Sequence, residues 1–412
     1  MIAFERCVLE NGLRVIIHQD NSTPMVAVNL VYNVGSKHED PEHTGFAHLF
    51  EHLMFGGSAH IPDFDEVIQN AGGENNAFTN TDLTNFYEVL PAQNLETALW
   101  LESDRMLKLN FSKKSLKTQK KVVIEEFKET CLNEPYGDMW HHLSQLAYKV
   151  HPYQWPTIGK EMSHIKKATL EQVESFFYNY YRPDHAVLVI AGPVNPAESI
   201  QLVKKWFDEI PMSEGKKQEY HLEPTQNEYR HQILHSEVPH DAIYLAFHMG
   251  DRLNDEFYAC DLLSDILANG RSSRFYQRLY KEKQFFSTID AFISGTIDPG
   301  LFIIEGKLMP GITIETARAA IWEELQLLCE TTISDPELQK LKNSVESSLT
   351  FSEVSILNKA TSLAYFEILG DAHLINQEAE RYHNITSADL QQAAQNIFRL
   401  ENCNELIYKI KG

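Results

Sequence analysis

The chain is short of positive charge. Lysine and arginine together number 36 against 58 aspartates and glutamates, a formal net charge of −22 over 412 residues. A nucleic-acid binder needs a basic stripe or patch, so that class is excluded. Long apolar runs are also missing. No segment reaches the roughly 18 uninterrupted apolar residues that a membrane helix requires, and no membrane span is expected. Cysteine is scarce: Cys7, Cys131, Cys260, Cys329 and Cys403 are odd in number, widely scattered and never spaced as C-x-x-C. That excludes a disulfide framework and argues against a thiolate metal site. The opening residues, Met1-Ile2-Ala3-Phe4-Glu5-Arg6, have no basic stretch running into an apolar one. No secretory signal is read there, and the cytoplasm is the expected compartment.

What is present is enough to build large cores, since 43% of the residues are apolar. The length suggests two to three domains at about 150 residues each. Leu13 to Ile17, after an Asn11-Gly12 turn, and Met25 to Tyr32 read as strands rich in β-branched residues. Asn76–Thr79 and Asn85–Leu90 read as a strand pair, and the apolar run Ala186–Gly192 as a buried strand. Helical periodicity marks Phe64 to Asn70, Leu95 to Leu107 and Ser115 to Cys131. The polar stretch that follows Met212 lacks periodicity and reads as a linker. Beyond it, Ala242 to Asp251 and the helical pattern Phe257 to Leu267 echo the plan of Val26 to Ser36 and the helix after it. The expectation is an α+β chain of two similar halves, each an antiparallel sheet packed with helices on one face. The domains are read as 1–212 and 229–412, joined by a 213–228 linker.

One motif carries chemistry: Gly45-Phe46-Ala47-His48-Leu49-Phe50-Glu51-His52-Leu53-Met54. His48 and His52 are four apart, so on a helix they leave from one face, one turn above the other. Two neutral imidazoles so placed can bind one zinc ion, and Glu51 can stand beside the metal as a base toward its water. This is the inverted H-x-x-E-H order. The competing reading makes both histidines ordinary helix groups. A zinc site also needs a third donor, and the pattern Val122-Val123-Ile124-Glu125-Glu126-Phe127 offers one. Its apolar face turns one of Glu125 and Glu126 inward, which is costly unless that carboxylate is paired or metal-bound.

With these residues the chain resembles the pitrilysin/insulinase-type zinc peptidases, most closely the branch of the mitochondrial processing peptidase and its bacterial relatives. Asn11-Gly12-Leu13-Arg14-Val15, Val34-Gly35-Ser36, the motif itself, Gly72 to Thr79, Val122 to Glu126 and Tyr181-Arg182-Pro183-Asp184-His185 carry the resemblance. It extends more loosely through Ser272-Ser273-Arg274-Phe275. The resemblance implies a metalloendopeptidase with one zinc per chain, held by His48, His52 and Glu126, with Glu51 as the general base. Glu126 is preferred to Glu125 because it falls where the family has its third ligand. Gln119 takes the place of a supporting family glutamate, and Asn76, Ala77, Phe78 and Thr79 match an edge strand that pairs with extended peptide. The family's chamber implies unfolded peptides or small polypeptides as substrates. A family arginine–tyrosine pair is degraded here to Lys281 and Ser287 or Thr288. The resemblance therefore implies a dimer: a heterodimer whose second chain supplies that pair, or alternatively a homodimer. A non-catalytic structural or binding subunit is the alternative function, disfavoured by the intact motif.

Overall fold

The computed structural model describes residues 1–212 and 220–411. The first part of the chain forms β1 (Glu5–Val8), β2 (Arg14–Gln19), β3 (Met25–Tyr32), α1 (Phe46–Met54), α2 (Phe64–Asn70), β4 (Glu74–Thr79) and β5 (Thr84–Pro91). It continues with α3 (Leu95–Leu107), α4 (Lys113–Phe127), α5 (Met139–Ala147), α6 (Met162–Lys167), α7 (Leu170–Tyr180), β6 (Ala186–Gly192) and α8 (Pro196–Phe207). The second part forms β7 (Arg230–Ser236), β8 (Ala242–His248), α9 (Asp255–Ala268), β9 (Phe286–Ile293) and β10 (Leu301–Leu308). It ends with α10 (Ile314–Glu330), α11 (Asp335–Ser352), α12 (Ile356–Ile368), α13 (Glu378–Asn384), α14 (Ser387–Ile397) and β11 (Cys403–Ile410).

The strands form two sheets, ordered β1-β2-β6-β3-β5-β4 and β7-β11-β8-β10-β9. Leaving out β1, the second order repeats the first strand for strand, with β2, β6, β3, β5 and β4 answered by β7, β11, β8, β10 and β9. The pairing sense repeats too. β6 runs parallel to β2, and β11 parallel to β7, while the other ladders are antiparallel. The two similar halves are therefore real, and the expectation of purely antiparallel sheets is corrected to mixed ones. The last strand of each repeat arrives after a long helical excursion, which is the kind of connection a parallel pair requires.

The expectation of helices on one face is corrected as well. In β3, Val26, Val28, Leu30 and Tyr32 join one core with α1, α3, α7 and α8, while Ala27 and Val31 join a second core with Ile356, Ala360, Leu363 and Ala364 of α12. A strand apolar on both faces must be covered on both. The second sheet follows suit. Ala242, Tyr244 and Ala246 of β8 pack with Met139, Leu143 and Ala147 of α5, and Phe247 on the opposite face meets Trp322 and Phe398.

Two of these covering helices, α12 and α5, come from the opposite stretch of chain. One unit comprises Met1–Phe127, Trp155–Tyr220 and Leu349–Gln377; the other comprises Lys128–Gln154, His221–Ser348 and Glu378–Gly412. The contiguous division at 212 and 229 therefore differs from the units by two exchanged segments. Part of the 213–228 linker lies outside the described residues. The described remainder has no regular structure before Arg230, and Glu223 fastens it by accepting from the N–H groups of Lys149, Val150 and His151 at 2.9, 2.8 and 2.9 Å. Among the described residues no helix is long and apolar enough to cross a membrane.

Candidate metal centre

In α1, Phe46, Leu49, Phe50, Leu53 and Met54 recur at three- and four-residue spacing and are buried in the first unit's larger core. That packing fixes the rotation of the helix about its axis. It therefore fixes where His48, Glu51 and His52 leave it. α4 packs against α1, anchored by buried Leu116, Val123 and Phe127. The same rotation brings Glu126 to a half-buried position and leaves Val122 and Glu125 exposed.

Three donor groups converge. His48 Nε2 lies 3.3 Å from His52 Nε2, and the Glu126 carboxylate spans the pair, Oε1 3.5 Å from His48 Nε2 and Oε2 3.4 Å from His52 Nε2. Ligand atoms around a tetrahedral zinc with bonds of 2.0–2.1 Å stand about 3.4 Å apart, and the three separations fit that spacing. Among the described residues this is the one group of histidine, cysteine and acidic side chains close enough to share an ion. Two imidazoles and one carboxylate form a donor set that holds zinc while leaving a fourth position open.

The protonation states fit as well. Burial holds the His48 imidazole below its usual range; the Glu126 charge opposes this, and the neighbouring His52 adds to it. The hydrogen bond to His52 draws the Glu126 carboxyl down, partly offset by burial. A neutral imidazole and an ionised carboxylate are the forms that bind a divalent ion. His48 Nδ1 is buried without a hydrogen-bond partner, so on that side of the ring only packing holds it.

Glu51 stands on α1, half-buried, outside the converging trio but near enough for its charge to act on His48. Gln119 lies on α4, two turns before Glu126, also half-buried. Asn76, Ala77, Phe78 and Thr79 form most of β4, at the edge of the six-stranded sheet and beside α1. They pair with Tyr87, Phe86, Asn85 and Thr84 of β5. Asn76 Oδ1 accepts from the Ala77 N–H at 2.8 Å. In the other unit, Lys281 and Thr288 are exposed, and Ser287 Oγ donates to the Lys307 carbonyl at 3.1 Å.

Two groups, one holding α1 and one holding the loop after it, are not marked by any sequence motif. Before the helix, Glu39 is 1% exposed, and its two carboxylate oxygens accept from the N–H groups of Gly45 and Ala47, each at 2.8 Å. Burial pushes its carboxyl up to about 8 against the pull of the N–H groups of Ala47, Gly45 and Phe46. After the helix, buried Asp104 accepts from Ser58 Oγ and from the His60 N–H and pairs with the His60 ring. A helix that begins at glycine, with no side chain to cap it, was the one available signal that a cap comes from elsewhere.

The sequence model for insulinase (peptidase family M16) matches residues 14–161, and that for the peptidase M16 inactive domain matches 167–345. The zinc protease PqqE of Helicobacter pylori is 27% identical over 401 residues, 96% of this chain and 90% of that protein. A probable mitochondrial-processing peptidase subunit beta of Arabidopsis thaliana is 24% identical over 358 residues, 83% of this chain and 66% of that protein. Among solved structures, a protease from Helicobacter pylori superposes with a TM-score of 0.95 at 26% identity, covering 99% of this chain and all of that one.

Proposed function

This chain belongs to the insulinase-type (M16) peptidase family, and on that premise we propose that it is a zinc-dependent metalloendopeptidase acting on unfolded peptides. The observation that carries the reading is the convergence of His48, His52 and Glu126 at a spacing suited to one tetrahedral ion. These three residues would hold the zinc. When bound, it would polarise the scissile carbonyl and lower the pKa of water at the open position. Glu51 is the proton carrier: it accepts a proton from the attacking water and returns it to the leaving nitrogen. No covalent enzyme intermediate is needed, and no cysteine takes part. β4 supports an extended substrate by edge pairing, so that recognition rests on backbone more than on side-chain sequence.

The partner proposal follows from the other unit. Lys281 is an exposed cation without a guanidinium's bidentate geometry, and Ser287 is already hydrogen-bonded to backbone. We propose that a second chain, a different gene product rather than a second copy, supplies an arginine–tyrosine pair. Full activity of the purified chain by itself would contradict that.

The test of the function is hydrolysis of a mixed quenched-peptide library before and after a zinc chelator, with zinc added back. The reading expects loss with the chelator and recovery at about one zinc per chain. It expects this of the chain with its partner if the chain by itself is silent. Hydrolysis that survives complete metal removal would sink it.

A further inference from the structure

An α-helix leaves its first N–H groups without intrahelical partners, and a side chain at the cap position usually satisfies them. In α1 that position is Gly45, with φ +86° and no side chain to offer. Nor could it take one. A Cβ built there would lie 2.9 Å from both the Ile158 carbonyl oxygen and Ile165 Cδ1, in a conformation that L-residues rarely adopt. The helix that carries His48, Glu51 and His52 therefore has to be capped from outside itself.

Glu39 fills that need. Its carboxylate reaches from six residues before Gly45 and accepts from two N–H groups of the first turn, those of Gly45 and Ala47. The loop that presents Glu39 is itself fixed. Lys37 forms a buried ion pair with Asp82 at 2.8 Å. The Ser36 carbonyl accepts from Trp155 Nε1, and the His38 carbonyl from Tyr180 OH, both at 2.9 Å. Thr44 Oγ1 meets His164 Nδ1, also at 2.9 Å.

We propose that Glu39 is a positioning residue for the metal centre: it locks the first turn of α1 and so sets where the His48 and His52 imidazoles stand against Glu126. The next residue after Ala47, whose N–H Glu39 holds, is His48. A slip or fraying of that turn displaces His48 first, and Glu51 and His52 with it. This inference rests on the zinc reading for its functional consequence but on hydrogen bonds alone for its structural one.

The experiment compares wild type with Glu39→Ala and Glu39→Gln. The amide of Glu39→Gln would keep one acceptor oxygen and present its NH2 to the other N–H. In the metal-free protein, the amides of residues 45–54 should exchange faster in both variants, more so in Glu39→Ala, with the sheet strands unchanged. Zinc affinity should fall about 10- to 100-fold in Glu39→Ala, as for loss of a group that orients ligands, and less in Glu39→Gln. The visible spectrum of the cobalt-loaded protein should shift. Wild-type zinc affinity with an unchanged cobalt spectrum in Glu39→Ala would overturn the proposal, even if its melting temperature drops. If the wild type takes up no metal, the zinc reading fails separately. The exchange data then decide, and unaltered protection at 45–54 would overturn the brace as well.

Discussion

Glu125 and Glu126 are neighbours in sequence, yet a rotation of about 100° around α4 separates an exposed charge from a carboxylate facing two imidazoles. Glu126→Gln should weaken zinc binding by more than about tenfold, because an amide cannot supply the anionic oxygen. Glu125→Gln should leave it unchanged. Equilibrium dialysis with zinc analysis checks both, and equal losses in the two variants would contradict the assignment. His48, Glu51 and His52 were legible because one helix carries all three. The third donor comes from another helix, whose approach is set by tertiary packing, and apolar spacing alone left two candidates. Glu39 was not legible, since its partners are backbone N–H groups that every residue but proline possesses.

Among the elements, several boundaries followed directly from local pattern: the Met25–Tyr32 and Ala186–Gly192 strands and the Phe64–Asn70 and Leu95–Leu107 helices fall where periodicity and turn residues put them. The exchange of α5 and α12 did not follow, because an apolar helix face reads the same whichever sheet it covers. The exchange makes a prediction. Leu363 of α12 is fully buried against the first sheet, and Leu143 of α5 against the second. Each replaced by alanine should cost about 2–5 kcal/mol. Leu363→Ala, although late in the chain, should speed amide exchange in β3 and β6. Leu143→Ala, although early, should speed it in β8 and β11. The reverse pattern would contradict the exchange. An ion pair also ties α12 down, with Lys359 Nζ donating to Asp20 Oδ2. That bond, with help from Ser22, holds the Asp20 carboxyl well below the usual carboxylate range. A depressed folded value contributes stability above the unfolded pKa of about 4, and the contribution is lost as pH falls through the folded value. Asp20→Asn should therefore cost about 1–2 kcal/mol at neutral pH, a difference that shrinks under acid. Urea titrations at both ends of the range measure it, and a cost independent of pH would contradict it.

Across the whole molecule one plan is used twice, and among the described residues the candidate metal centre is found in the first copy. The second copy keeps strand order and pairing sense, but its corresponding helix reads Ala259-Cys260-Asp261-Leu262-Leu263-Ser264-Asp265. No second convergent donor group stands among the described residues. That repeat was faintly legible, as a strand, glycine and helix in the same order, while the parallel closing strands were not, because strand partners far apart in sequence leave no local trace. The expected stoichiometry is one zinc per chain. The most direct measurement pairs zinc content with hydrolysis of a quenched-peptide library for the wild type and Glu51→Gln, each with its partner chain if one is required. One zinc in both, with hydrolysis confined to the wild type, is the predicted result. No zinc in either, or equal hydrolysis by both, would contradict the account.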